Sequence, residues 1–375
     1  VKELEVLMVE DGRVVRIFEN LVKIYSPSYK ERFVAGYIKG YVEALGFLAY
    51  EDEAGKALGG DAGNVLVTIP GTADGPCILF AAHMDTVEPS GGIEPVIEDG
   101  VIKSKGDTIL GADDKAGVAA MLELISVLEG KLLRHGPVHL AFTIAEEVGL
   151  EGAKHLDLSD VNVDYAYVLD SNGPVGTVVV GAPYQDSFEV EYTGRAAHAG
   201  VAPELGINAI VAASKAICCM NIGRIDEDTT SNVGTIEGGR AGNIVPAKVN
   251  LLAEARSIDP AKLEKQAHHM IECFKKGADE TGAEVNIKRT RPYDGYLHSE
   301  NDPVVKKVVD TMTKLGLTPR LIKSGGGSDT NVFNAKGIST VNLGMGAEDV
   351  HTDDEYVPVQ ELANMAQLLV ELVKI

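Results

Sequence analysis

With 375 residues, 45% of them hydrophobic and 24% charged, the chain is long enough for two folded domains and carries no low-complexity tract. Its 34 basic residues stand against 56 acidic ones, a net charge of −22 that repels nucleic acid and anionic membrane, and no Lys/Arg cluster offsets it. No run approaches the roughly 18 consecutive apolar residues of a membrane helix, so neither nucleic acid nor membrane is an expected partner.

Residues 1–20 mix charges with apolar residues at helical spacing, unlike a secretory signal. An amphipathic helix is predicted over residues 3–24, then a loop at Ser26-Pro27-Ser28 and a second helix from Lys30 to Leu45, ended by Gly46. Val65–Ile69 and Ile78–Ala82 read as strands, the second apolar throughout, as in a strand buried on both faces. A helix over Ala116–Leu128 closes at Gly130, and Val138–Ile144 and Tyr165–Leu169 are further short apolar strands. Strands alternating with helices imply an α/β fold with a mostly parallel sheet flanked by helices. Near Gln185 the pattern changes to strand Ser187–Tyr192, helix Asn208–Met220, strands Asn232–Glu237 and Ala247–Ser257, helix Pro260–Glu280 and strand Glu284–Arg289. That order is βαββαβ, the ferredoxin-like arrangement. Helix Pro303–Leu315, strands Arg320–Lys323 and Thr340–Leu343, and a helix from Pro358 return to the first pattern. The expected organisation is a discontinuous domain, residues 1–183 and 294–375, with residues 184–293 inserted. Cys77, Cys218, Cys219 and Cys273 form no CxxC pair and read as buried thiols of a reducing compartment, the cytoplasm.

Chemistry gathers at the strand ends. Ile78–Ala82 runs into His83-Met84-Asp85, at the edge where open α/β sheets bind ligands. Asp85 is placed to accept the second ring N–H of His83, the pairing that orients a metal-ligating histidine; a capping Asp after a loop His is the duller reading. Gly111-Ala112-Asp113-Asp114-Lys115-Ala116-Gly117 opens a helix, where Asp is also an ordinary cap. Strand Val138–Ile144 leads to Ala145-Glu146-Glu147, a pair in which one carboxylate ligates metal while the other stays free to take a proton. Asp170 ends the next strand, and His351 follows strand Thr340–Leu343. Two histidines with several carboxylates suit Zn²⁺, with Mn²⁺ or Co²⁺ as alternatives, more than Ca²⁺ or Mg²⁺.

These motifs in this order resemble the M20 co-catalytic metallopeptidases, and His83-Met84-Asp85-Thr86 with Gly111–Gly117 looks closest to the peptidase T (tripeptidase) branch. The resemblance implies a zinc exopeptidase-like fold whose insert is a lid or dimerisation domain, and two Zn²⁺ ions. It gives His83 and Asp170 to one ion, Glu147 and His351 to the other, and Asp113 to both across a cis Asp113–Asp114 peptide. Asp85 orients His83, and Glu146 is the general base toward a metal-bridging hydroxide. From the insert, His198 in Arg195-Ala196-Ala197-His198-Ala199-Gly200 would stabilise the oxyanion, in many relatives from the partner of a homodimer. Asn243, Arg256 and the Gly325-Gly326 stretch would hold a short peptide substrate, although a structural ion pair is the competing reading of Arg256. The Gly-rich stretch lacks the Lys-Ser/Thr end of a phosphate loop.

Ala145 and the form of the His198 motif depart from the tripeptidase pattern. An amidohydrolase or carboxypeptidase-type enzyme on N-acyl amino acids is therefore the first alternative to an aminotripeptidase, and a non-catalytic peptide-binding protein the remote one. His135, His139, His155, His268, His269 and His298 fit no motif.

Overall fold

The computed structural model describes residues 9–130, 133–159 and 161–375. The chain forms two compact units: one runs to Val180 and takes in His298–Lys323 and Ser328–Ile375, and the other comprises Gly181–Leu297 with Ser324–Gly327. The pairing of Tyr296 with Ala182 and of Leu297 with Gly181 draws those residues into the second unit, beyond the 184–293 span read from the sequence pattern.

In the first unit, four strands form a parallel centre in the order Val138–Thr143, Ile78–His83, Tyr165–Ser171, Thr340–Gly344. Antiparallel strands extend it on both sides, Val65–Ile69 and Ala49–Glu51 beyond the first and Thr177–Ala182 beyond the last. The fold is thus mixed α/β around a mostly parallel core. All six residues of Ile78–His83 and all five of Thr340–Gly344 are buried, which explains why apolar residues dominate both strands. Phe80 and Tyr167 stack across neighbouring strands with ring centroids 5.9 Å apart. Helix Ala112–Glu129 packs on Ile78–His83 and Tyr165–Ser171, and helices Asp11–Val22 and Val359–Val373 pack on it in turn. Gly117 permits that approach, because a Cβ there would lie 2.9 Å from the backbone oxygen of Leu169.

The first helix is shorter than its sequence pattern, Asp11–Val22, and the predicted stretch 3–8 lies outside the described residues. The second begins at Arg32, with Glu31 at its N-cap; the buried Glu31 side chain makes no capping bond to the helix. Sequence patterning missed strand Thr177–Ala182, the small sheet of Pro95–Glu98, Val101–Ser104 and Tyr356–Pro358, and the short helices Ala54–Leu58, Glu151–His155 and Asp329–Ala335. Most are too short to show a period, and only their tertiary pairing defines them.

In the second unit, the antiparallel sheet runs Gly223–Arg224, Thr229–Gly238, Lys248–Ser257, Tyr184–Thr193, Glu284–Tyr293. Helices Ala209–Cys219 and Pro260–Asp279 pack together and on this sheet, capped by Asn208 and Asp259, each of whose carbonyl or carboxylate oxygen accepts two backbone N–H groups. Phe188, Val190, Tyr192, Leu251, Met270 and Phe274 lie in its separate apolar core. The cysteines depart from expectation: all four are free, but Cys218 is exposed and Cys219 half-buried, because they fall at the C-terminal end of their helix.

Candidate metal centre

Strand Ile78–His83 delivers His83 to the C-terminal edge of the parallel sheet, 2% exposed. Its Nδ1 lies 2.9 Å from the backbone oxygen of Asp85 and 3.5 Å from that residue's carboxylate. A carbonyl only accepts, so Nδ1 carries a proton, and Nε2 is the nitrogen that would face a metal ion. The Asp85 carboxylate, expected to orient His83, faces that nitrogen and also holds the next turn: its two oxygens accept the backbone N–H groups of Glu146 at 3.0 Å and Glu147 at 3.2 Å.

Nε2 of His83 lies 3.0 Å from Oδ1 of Asp113 and 3.6 Å from Oδ1 of Asp170. The other oxygen of Asp113 faces a different histidine, Nε2 of His351, at 3.2 Å, and that nitrogen is also 3.0 Å from Oε1 of Glu147. The carboxylate of Asp113 therefore stands between two histidines. His351 is presented by a left-handed backbone, φ 65°, and the Asp113–Asp114 peptide is cis.

Two groups of ligand atoms lie within 4.8 Å of one another, His83-Asp113-Glu147 and His83-Asp114-Asp170. Asp114 is nevertheless committed to the backbone: Oδ2 accepts the N–H of His83 at 3.1 Å and Oδ1 that of Gly117 at 3.2 Å. It locks the strand end to the helix start, whereas Asp113 turns its oxygens to the two histidine rings.

Electrostatics support cation binding. Among the described residues, no Lys or Arg pairs with Asp113, Glu147 or Asp170; their ionic partners are His83 and His351. Burial, then the charge of Asp113, pushes Asp170 up to about 8. Burial, then Asp170, holds Glu146 well above the usual carboxylate range. Burial disfavours a charged His83, yet Asp113, Asp170 and Asp85 hold it well above an ordinary imidazole. Asp113 and Glu147 raise His351 to about 10. Acids unwilling to ionise together beside histidines unwilling to lose protons make a site short of positive charge, and a pair of divalent cations fits it.

Sequence reading missed the residues that hold these candidate ligands. Glu355, 1% exposed, accepts the N–H groups of Leu110 at 2.7 Å, Gly111 at 2.8 Å and Asp113 at 3.1 Å. Asn342 accepts the N–H of Asp170 at 3.0 Å and donates to its backbone oxygen at 3.1 Å. Both lie close to a candidate ligand in sequence or across a strand pair, but nothing local distinguishes them from ordinary polar residues.

The remaining candidates belong to the second unit. His198 is exposed, and its Nδ1 accepts the N–H of Gly200 at 3.2 Å, leaving Nε2 as a donor. Asn243 is laced to the same loop, its backbone oxygen accepting the N–H of Ala199 at 3.0 Å. Arg256 makes a two-pronged pair with Glu254, both contacts 3.0 Å, and its third nitrogen donates to the backbone oxygen of Gly325 at 3.4 Å. Gly326 donates its N–H to Ser324 Oγ at 3.0 Å.

Residues 79–375 match the sequence profile of Peptidase family M20/M25/M40, to which the chain belongs, and it is a metallopeptidase. Within that family it falls on the peptidase T-like branch. It is 44% identical to aminopeptidase PepT from Bacillus cereus ATCC 10987, covering 98% of both chains with a TM-score of 0.91. With a tripeptidase from Staphylococcus aureus subsp. aureus Mu50 it shares 40% identity, again over 98% of both chains, with a TM-score of 0.94. An uncharacterized Bacillus subtilis (strain 168) protein, YqjE, is 43% identical over 98% of this chain and 99% of its own length.

Proposed function

We propose that the chain is a di-zinc exopeptidase that hydrolyses short peptides, tripeptides among them, with Mn²⁺ or Co²⁺ as alternative ions. The observation that carries this reading is the placement of Asp113, whose two oxygens face His83 and His351 separately. Asp113 is then the shared ligand, His83 and Asp170 complete one ion's set, and Glu147 and His351 the other's. When bound, such a pair supplies Lewis acidity toward the scissile carbonyl and a water of lowered pKa.

The chain's own groups do the rest. Glu146 lies beside Glu147 but outside the ligand set; burial and Asp170 raise its proton affinity, and the charge of bound cations would keep it in the ionised form a base needs. It takes the proton of the attacking water and returns it to the leaving amine. His198 donates its Nε2–H to the developing oxyanion. Asn243, Arg256 and the Gly325-Gly326 backbone hold the peptide. The insert serves as lid and homodimer contact, from which His198 acts in its own chain or across the dimer. Four free cysteines accord with a cytoplasmic setting, and no helix among the described residues is long and apolar enough to cross a membrane. Support for tripeptides comes from the Staphylococcus aureus tripeptidase, and support for cleavage at a free N-terminus from the Bacillus cereus aminopeptidase.

The test joins metal analysis of the purified protein to a panel of tri-, di- and N-blocked peptides. Two ions per chain with cleavage at free N-termini is the expected result. Turnover of N-blocked substrates alone would replace the reading with an N-acyl amino acid hydrolase.

A further inference from the structure

The Glu146-Glu147 turn is reached from a segment that precedes the matched family region, residues 79–375. Ser26–Glu31 runs beside the His83-Met84-Asp85 loop. Ser26 Oγ donates to the backbone oxygen of Met84 at 3.0 Å, Thr86 N–H donates to the backbone oxygen of Ser26 at 3.0 Å, and Pro27 pairs with Thr86 in a parallel bridge. From this strap two side chains extend toward the turn. Ser28 Oγ donates to Oδ2 of Asp85 at 2.7 Å, the oxygen that also accepts the N–H of Glu147. Glu31, fully buried, accepts two N–H groups on Oε1, from Tyr29 at 2.9 Å and Ala145 at 3.0 Å.

Three successive amides, those of Ala145, Glu146 and Glu147, therefore end on just two carboxylates, Glu31 and Asp85. Ala145 has a left-handed backbone, φ 49°, which an L-residue adopts only when its surroundings impose it. Glu31 is costly where it stands: Oε2 is buried with no hydrogen-bond partner, and the charge of Asp85 acts against its own. A neutral side chain would start helix Arg32–Ala44 at lower cost. The contact that warrants the expense is the one to Ala145.

We propose that Glu31 and Ser28 are positioning residues that fix the Glu146-Glu147 turn, so that Glu147 faces His351 and Glu146 stays outside the ligand set. Glu31 sets the turn's first amide, and Ser28 aims the Asp85 carboxylate that holds the next two. This rests on the di-metal reading of the site.

The test compares the parent chain with Glu31→Ala, Glu31→Gln and Ser28→Ala, each checked for folding by circular dichroism. Zinc titration of chelator-stripped protein, followed by calorimetry, reads metal binding independently of hydrolysis. The expected result is that Glu31→Ala weakens one of the two binding steps by roughly 10- to 100-fold, the range typical when a ligand's supporting hydrogen bond is lost. Glu31→Gln keeps an oxygen for the Ala145 amide and recovers most of that affinity. On a tripeptide, kcat follows the same order while KM stays near the parent value. Parent-like zinc binding and kcat in Glu31→Ala overturn the proposal, as does a Glu31→Gln variant as impaired as Glu31→Ala. Should Glu31→Ala fail to fold, Ser28→Ala decides: a weakened zinc step supports the proposal and parity overturns it. Two zinc ions bound by a parent chain that cleaves no peptide would reject the proposed substrate and leave the zinc titration intact as the test of Glu31.

Discussion

His83 and Asp85 meet first through the backbone: the imidazole Nδ1 is 2.9 Å from the carbonyl oxygen of Asp85 and 3.5 Å from its carboxylate, which also accepts the amides of Glu146 and Glu147. The Nδ1–H of His83 thus has an acceptor that no side-chain substitution removes. The carboxylate, in turn, ties one ligand-bearing loop to another.

Asp85→Ala accordingly acts on the turn rather than on the histidine. Two half-buried amides lose their acceptor, at up to about 1–3 kcal/mol each. The expected outcome is a loss of kcat of roughly 10- to 100-fold with the ion at His83 retained. Metal stoichiometry beside steady-state rates checks this; loss of the His83-side ion instead would return Asp85 to its predicted role.

Glu146→Ala separates base from ligand. Both ions should remain bound while kcat falls by about 10²–10⁴-fold. A variant that binds a single ion would place Glu146 among the ligands.

Glu355→Ala leaves the amides of Leu110, Gly111 and Asp113 without their buried acceptor. The melting temperature should fall by several degrees, and the affinity of both zinc sites should drop together, because Asp113 serves each. Selective loss of one site would argue against a shared ligand.

Chelation should make stability depend on pH in a defined direction. In the metal-free fold Asp170 is pushed up to about 8 by burial and Asp113, and His351 to about 10 by Asp113 and Glu147. Both folded-state values lie above the unfolded ones, so the folded state holds protons that the unfolded chain has released. Stability is then lost as pH rises, through about 4–8 for Asp170 and about 6.5–10 for His351. Thermal scans of chelated protein at pH 5.5, 7 and 8.5 should show a falling melting temperature, and added Zn²⁺ should flatten the trend. A melting temperature that rises over this range in chelated protein would contradict it.

His198→Ala should lower kcat with metal content unchanged. Activity recovered on mixing it with Glu146→Ala would show that His198 reaches the site of a partner chain, and unrecovered activity in mixed dimers would keep it within its own.

Much of this protein is determined locally, and that part could be read from the sequence. Apolar runs such as Ile78–Ala82 become buried strands because nothing else satisfies them, and the residues at their ends arrive at one edge because parallel strands align their C-termini. The placement of His83, the Asp113-Asp114 and Glu146-Glu147 pairs, Asp170 and His351, and the βαββαβ order of the insert, follow from that periodicity and from motif order, while the choice of ligand within each pair came from the family resemblance. What the tertiary structure decided is where each carboxylate points. Asp85 and Asp114 look like ligand-side acids in the sequence, yet both are taken up by backbone amides, while Glu31 and Glu355 look like ordinary polar residues and hold the ligand-bearing loops. A carboxylate's role depends on which N–H groups face it, and those come from segments up to 245 positions away. Spacing along the chain carries no record of such contacts; only packing brings them together.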